Sequence, residues 1–278
     1  MSPHATDPDH ALSSPGDSPE AYVPPPPEGP RTRVRALGLS APLHWLRLGA
    51  QDLIAHPGIG LFYGLGFWTM SMVLALVFRH QPEFTLSMVS GCLLVGPFLA
   101  MGLYEVSRRR ELGQRPDLGS SLTCWDPHLK SMAMLVLVLL VLELLWGRAS
   151  LVVFAVFFNT GMPSTTGVVQ AIFNPDNLEF LIVYLAVGGV FAGLVFALSV
   201  VSIPMILDRD TDAISAALTS VRVFFGEISV ILFWGALITV LVWLSLMSPW
   251  SVLLLAVGPW LGHASWHAYR ASVEWVED

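Results

Sequence analysis

The sequence predicts an all-α fold: a polytopic bundle of six transmembrane helices built from repeated helical hairpins. From Ile59 onward the chain contains six apolar runs, most of them near the roughly 20 residues that cross a 30 Å hydrocarbon core. It is 54% hydrophobic and 13% charged, whereas soluble domains are about 25% charged. The runs are continuous and do not alternate, so they indicate helices, which satisfy their own backbone hydrogen bonds in lipid.

The six predicted spans are Ile59–Phe78, Phe84–Tyr104, Met132–Val153, Phe180–Ile206, Ile228–Leu246 and Val252–Trp266. Together they occupy most of residues 37–278, which we interpret as one membrane domain. The chain therefore has the lipid bilayer as its main partner. A membrane-protein partner or a homo-oligomer is also compatible with this composition.

Residues 1–36 are predicted to be a disordered, proline-rich cytoplasmic tail. Nine of the chain's 20 prolines lie there, four of them in the run Pro24–Pro27. Such a segment buries too little apolar surface to offset its ordering entropy, and the proline run favours an extended polyproline helix. A docking ligand for a proline-recognising partner is the alternative.

The distribution of Lys and Arg predicts the orientation. If both termini are cytoplasmic, all of the 14 basic residues lie on the inner side except Arg79 and Arg148. Arg79 then follows span one on the outer side, and Arg148 lies within or at the outer end of span three. Because basic residues near span ends are retained in the cytoplasm, we predict a multi-pass protein with both termini inside.

An internal repeat relates the first hairpin to the last. Leu61–Gly64 in span one recurs as Leu232–Gly235 in span five, and Val95–Leu99 in span two recurs as Val257–Leu261 in span six. Each hairpin starts and ends inside, so the repeats are parallel and related by an axis along the membrane normal.

A short amphipathic segment precedes spans one and five. The apolar residues that share one helical face are Leu43, Leu46, Ala50, Leu53 and Ile54 in the first segment and Ile214, Leu218, Val221 and Phe225 in the second. Each segment is predicted to be a short helix lying in the membrane interface as a lipid anchor. A docking surface for a peripheral partner is the alternative.

Three blocks of sequence resemble a known family. Pro97–Arg109, Ser202–Arg209 and Gly262–Arg270 are similar to the bacterial integral-membrane family DUF2189. The resemblance implies a six-span protein of the bacterial cytoplasmic (inner) membrane, with no established activity. Some members are labelled as cytochrome c oxidase subunit one, but such a subunit needs several intramembrane histidines for haem and copper. Here only His263 lies within a predicted span, and His267 directly follows the same span.

Glu143 and Arg148 are the ionisable residues predicted to lie within the membrane. A charge in hydrocarbon is costly, so such residues are candidates for a functional site. Being five positions apart, they do not form a good pair on one helix, and each needs a partner elsewhere. A transport or proton-relay role is one interpretation, and a polar contact between helices is the one that we favour.

His263 and His267 have the i, i+4 spacing that lets two imidazoles reach one metal ion. His56, at the inner end of span one, is a third candidate ligand. No cysteine or carboxylate cluster completes a convincing site, so we predict no metal and no other cofactor.

A polar cluster at the cytoplasmic ends of spans two and six is the favoured interpretation of the same region. Through the repeat, His267 corresponds to Glu105 and Arg270 corresponds to Arg108. Glu105 and His267 are therefore expected at the same depth, facing one another with the two arginines beside them.

Other features of the sequence are less specific. It contains no phosphate-binding glycine loop, serine elbow or HExxH motif, and no basic patch for nucleic acid beyond the inner loop. Cys92 and Cys124 are predicted to be free thiols. The glycines at positions 188, 189 and 193 are predicted to let span four pack closely on a neighbour.

These observations favour a non-enzymatic inner-membrane protein that serves as an accessory, assembly or scaffold component. A small-solute transporter or channel is the alternative, although polar solutes usually require more polar residues along the helices. A haem- or metal-binding accessory of a respiratory oxidase is a second alternative, and it depends on His263 and His267.

Overall fold

The computed structural model describes residues 32–80, 85–158 and 177–276. Its helices and strands are β1 (Thr32–Val34), α1 (Ala41–Ala55), α2 (Pro57–His80), α3 (Thr85–Glu111), α4 (Leu118–Thr123), α5 (Leu129–Phe157), α6 (Leu178–Ser199), α7 (Ser202–Arg209), α8 (Ala213–Gly226), α9 (Ile228–Met247), α10 (Leu254–Ser272) and β2 (Val273–Trp275). Short 3-10 turns precede α5 and α10. The all-α prediction is confirmed, apart from the small two-stranded sheet.

Four helical segments of the described chain are long and apolar enough to cross a membrane. They are Pro57–His80, Leu118–Phe157, Leu178–Arg209 and Ile228–Met247. Within their most apolar stretches only 6% to 22% of the residues are buried inside the protein, so most of these apolar side chains face outward. This pattern is typical of helices whose solvent is lipid, and the chain is a multi-pass integral membrane protein.

The other two predicted spans fall on α3 and α10, which are less hydrophobic than those four helices. The lower hydrophobicity of α10 reflects its position, because it packs against α1, α2, α3 and α9 at the centre of the described structure. At Gly64 of α2, a Cβ atom would lie 2.0 Å from the backbone oxygen of Leu255, so only glycine permits this approach.

The span predicted over Phe180–Ile206 is two helices, because the chain breaks between α6 and α7. Pro204, in the first turn of α7, has no N–H to continue the hydrogen-bond ladder of α6. At the break between the two helices, the N–H of Val201 donates to Ser220 Oγ of α8 at 3.2 Å. Six consecutive residues from Ser202 to Leu207 are buried, so α7 lies inside the bundle.

Both predicted amphipathic helices form, as α1 and α8. The protein-facing side of α1 contains Trp45, Gly49 and Asp52. Much of the predicted apolar face points outward instead: Leu43 and Ile54 of α1, and Ile214, Leu218 and Phe225 of α8, are all more than half exposed. Leu46 is buried, and Ala50, Leu53 and Val221 are half-buried.

The first and last described segments of the chain meet in a sheet. Strand β1 pairs antiparallel with β2, placing Arg33 opposite Glu274. The predicted boundary of the disordered tail at residue 36 is therefore wrong, because ordered backbone already exists at Thr32. Backbone pairing with β2, which local composition does not reveal, accounts for the difference. Residues 1–31 lie outside the described residues.

Candidate functional site

A buried polar site lies where α1, α3 and α10 meet. It consists of Asp52 from α1, Ser107 and Arg110 from α3, and His263 and His267 from α10, and we call it the Asp52 site. The close approach of α1 to α10 brings these side chains together. This approach requires Gly49, where a Cβ atom would lie 2.6 Å from the backbone nitrogen of Ala264.

Asp52 is the centre of this site, and only 4% of the residue is exposed. Ser107 Oγ donates a hydrogen bond to its Oδ2 at 2.6 Å. The Nε2 atom of His267 lies 2.8 Å from the same oxygen. Arg110 binds the other oxygen through Nη1. Three side chains from two helices therefore hold this carboxylate of a third helix.

Ser107 links Asp52 to His263, whose Nδ1 lies 2.8 Å from Ser107 Oγ. Because the hydroxyl proton of Ser107 is directed to Asp52, the Ser107 oxygen accepts from His263 Nδ1–H. In the neutral imidazole this leaves Nε2 unprotonated. That nitrogen is buried and has no hydrogen-bond partner among the described residues.

Opposing effects act on the pKa of Asp52. Burial raises it, because water no longer solvates the charged form. The hydrogen bonds from His267 and Ser107, with the nearby imidazoles, lower it by more, so the pKa lies below its usual range. Asp52 is thus a charged group that its neighbours hold in place.

Asp208, from the end of α7, forms a second polar group beside the first. Tyr269 donates to its Oδ2 at 2.8 Å, and Arg270 Nη1 lies 3.5 Å from the same oxygen. Arg108 Nε lies 3.7 Å from Oδ1. Burial and then the Asp208 carboxylate raise the pKa of Tyr269, so its hydroxyl remains a donor. We call this group the Asp208 site.

The predicted pairing of Glu105 with His267 is wrong. Glu105 binds Arg108 at 2.9 Å and Arg109 at 2.6 Å, both on its own helix α3. His267 binds Asp52 instead. The structure does bring Arg108 and Arg270 together, but through Asp208. The repeat aligned α3 with α10 and gave no information about α1 and α7, whose carboxylates occupy the positions between them.

A cavity of about 400 Å³ opens beside the Asp208 site. Its charged lining includes Arg108, Arg209 and Asp208, and His128 binds Asp210 at 2.8 Å on its rim. Cys124 also lines it as a free thiol.

Glu143 and Arg148 lie apart from these sites, on α5. Glu143 is half-buried and Arg148 is exposed. Neither side chain has a hydrogen bond or ion pair within the described ranges 32–80, 85–158 and 177–276. The structure thus supplies no partner of the kind expected from another helix.

The histidines predicted as low-ranking metal ligands are occupied otherwise. His263 binds Ser107 and His267 binds Asp52, while His56 follows the last residue of α1 and has no hydrogen bond to either of them. In the described part of the chain, no group of three His, Cys, Asp or Glu side chains is arranged to hold a metal ion. The unprotonated Nε2 atom of His263 has the chemistry of a metal ligand. No group of described residues supplies the further ligands that a metal ion would need.

Asp52, Ser107 and Asp208 are the functional candidates that the sequence analysis missed. Asp52 had one detectable signal: Trp45, Gly49 and Asp52 are spaced i, i+4, i+7 and so share a helical face. That face pairs a small residue with a charge beside a large aromatic residue, which is typical of a helix contact. Ser107 and Asp208 had no comparable signal beyond lying in the two blocks that resemble the family.

The comparisons with known proteins agree with this description. Neither the curated proteins nor the solved structures gave a match. Residues 84–208, from α3 to near the end of α7, match the family described as predicted integral membrane protein (DUF2189). Pro97–Arg109 lies inside the matched range, Ser202–Arg209 lies inside it except for its last residue, and Gly262–Arg270 lies beyond it. The chain is thus similar to this family over residues 84–208, somewhat less than half of its length.

Proposed function

We propose that this protein is a six-span protein of the bacterial inner membrane that acts as a non-enzymatic accessory, assembly or scaffold component. The observation that carries the proposal is the mutual binding of the polar side chains at one end of the bundle. Asp52 and Asp208 together join α1, α3, α7 and α10. Each of these two carboxylates is held by side chains of other helices, and buried polar groups held in this way make a structure rigid and unique.

The order of the helices supports the proposed six spans and their repeat. A short helix followed by two long ones forms the sequence α1–α2–α3, and the same order recurs as α8–α9–α10. The apolar residues that α1 and α8 direct outward support a position in the membrane interface.

The α5–α6 hairpin offers the surface on which a scaffold would act. Leu144, Leu185 and Val190 are each more than half exposed, and Glu143 lies half-buried among such residues. A polar group on an apolar helix face is typical of contacts between transmembrane helices. We propose that this face binds another membrane protein or a second copy of the chain.

A photo-cross-linking residue placed at Leu185 tests this role in intact membranes. We expect one discrete protein adduct from position 185 and none from position 135, where the native Leu is buried. Replacing Glu143 with Leu should weaken the adduct. Cross-links to lipid alone from Leu144, Leu185 and Val190 would contradict the scaffold role.

Reporter fusions test the proposed topology independently. Fusions after Asp278 and after Pro82 should report opposite sides of the membrane, with the C-terminus in the cytoplasm, because the basic residues are concentrated on one side. A periplasmic C-terminus would overturn the six-span arrangement.

A small-solute transporter is the second candidate, and the cavity beside Asp208 is the observation that favours it. Its lining combines arginines with carboxylates, which suits a solute carrying both charges. Flux of radiolabelled amino acids into proteoliposomes, lost in Arg209→Gln, would support transport. Equal flux in empty liposomes would count against it.

A further inference from the structure

An apolar groove of about 170 Å³ lies between α5, α6 and α8. Its lining includes Met134 and Val138 of α5, Leu198 of α6, and Ala217 and Leu218 of α8. Every lining residue is apolar. The volume is below the roughly 300–1,000 Å³ of pockets that enclose drug-sized ligands, so it fits a slim chain.

The groove lies at one end of two helices that are long and apolar enough to span a membrane. It involves the first turns of α5 and the last turn of α6, which are the ends of these two helices that contact α8. Met134, Val138 and Leu218 are each at least 40% exposed, so the groove is continuous with the outward apolar face of α8. Lipid chains are the apolar molecules that surround this face.

Helical spacing places two cations next to residues that line the groove. Lys130 precedes Met134 and Val138 at successive i+4 spacings, so it shares their face of α5. Arg222 follows Leu218 by four residues on α8. Both side chains are exposed, and neither has an ion pair with any residue that the structure describes.

The depths match those of a phospholipid. At 1.5 Å per residue, Met134 and Val138 lie roughly 6 and 12 Å further along α5 than Lys130. A phosphate beside Lys130 therefore places the upper part of its acyl chain against the groove. From this geometry we infer that the groove binds one anionic phospholipid of the leaflet next to α8, with its headgroup at Lys130 and Arg222 and one acyl chain between α5, α6 and α8.

This inference rests on the proposed position of α8 in the membrane interface. Lipid binding measured in detergent does not depend on the orientation of the protein in a membrane, so the lipid site and the orientation can be disproved separately. If reporter fusions place α8 outside while the lipid still binds, the orientation is wrong and the site stands. If α8 is cytoplasmic and no lipid binds, the site is wrong and the orientation stands.

Native mass spectrometry of the delipidated full chain in mild detergent tests the site. We expect phosphatidylglycerol to bind more tightly than phosphatidylcholine with the same acyl chains. Lys130→Gln should weaken phosphatidylglycerol binding about fivefold, because a basic residue near the membrane surface contributes about 1 kcal/mol to binding anionic lipid. It should leave phosphatidylcholine binding unchanged. Arg115→Gln, which removes an exposed charge elsewhere, is the matched control.

A groove-filling variant tests the acyl chain. Ala217→Phe should weaken binding of both lipids at least fivefold, while Val190→Phe on the exposed surface of α6 should not. Leu218→Gln, at a half-exposed position, serves if Ala217→Phe fails to fold. Glycerol phosphate, which has the headgroup chemistry without chains, should bind much more weakly than the lipid. Unchanged lipid binding in Ala217→Phe and Leu218→Gln, equal affinity for the two lipids, or full affinity for glycerol phosphate would each overturn the proposal.

Discussion

The Asp52 site and the α5–α6 hairpin use the same residue types in opposite ways. At the Asp52 site, a carboxylate is buried against an arginine, a serine and a histidine, and Gly49 lets two helices touch. On the hairpin, Glu143 and Arg148 have no partner within the described part of the chain, and a Cβ atom at Gly189 would meet open space. An acid or a glycine in a membrane protein therefore takes its role from its packing partners.

Removing the carboxylate of Asp52 should have the largest effect. Asp52→Ala breaks the hydrogen-bonded charge pair at a buried carboxylate and leaves the buried Ser107 hydroxyl without its acceptor, so we expect the free energy of unfolding to fall by about 3–5 kcal/mol. Reversible unfolding in detergent micelles measures it. Glu143→Ala is the matched control, with no loss of stability expected. Equal losses from both variants would remove the distinction between the two regions.

The glycines provide the second test of the comparison. Gly49→Ala drives a methyl group into the backbone of Ala264, and overpacking of this kind costs about 1–3 kcal/mol. Gly189→Ala enters open space and should stabilise α6 by up to about 1 kcal/mol, since alanine favours helices. Thermal melts of the two variants should therefore shift in opposite directions.

The predicted close packing at positions 189 and 193 is wrong, since nothing described lies within 4 Å of a Cβ atom there. At Gly188 the packing is close, because a Cβ atom there would lie 3.1 Å from the Trp146 ring.

A double-mutant cycle sharpens the assignment of the partner of His267. Asp52→Asn combined with His267→Gln should show a coupling of about 0.5–3 kcal/mol, as for residues in contact. Glu105→Gln combined with His267→Gln should be additive within about 0.5 kcal/mol. A larger coupling to Glu105 than to Asp52 would return the cluster to the arrangement predicted from the repeat.

The smallest effect concerns pH. The pKa of Asp52 is lower in the folded protein than its ordinary value of 3.8. The carboxylate therefore contributes stability that is fully present above about pH 4 and is lost as the pH falls through the folded pKa. The wild type should lose more stability than Asp52→Asn between pH 5 and the acid limit of folding. Parallel stability curves for the two proteins would contradict this assignment.

How far the sequence predicts the molecule depends on the range of the interaction. Apolar runs are local, so all six predicted spans fall on helices and four are long and apolar enough to span. The break before Pro204 is also local and could have been anticipated from proline chemistry. The partners of His267 and Arg270 are not local, because Asp52 and Asp208 come from helices 215 and 62 positions away. Nothing in the pattern around His267 identifies which carboxylate reaches it.

The pairing of the first and last described segments of the chain bears on the order of biogenesis. In the described structure β1 pairs with β2, so this pairing cannot form until β2 is synthesised. Helix α1 likewise packs on α10, whose Trp260 donates to the backbone oxygen of Leu46 at 2.7 Å. A nascent chain inserted only as far as α9 would therefore hold Asp52 without His267, with a charged group exposed where the finished protein buries it. Synthesis of α10 is thus the step at which the contacts of α1 and of Asp52 can form. Chains truncated before α10 should be degraded by membrane proteases.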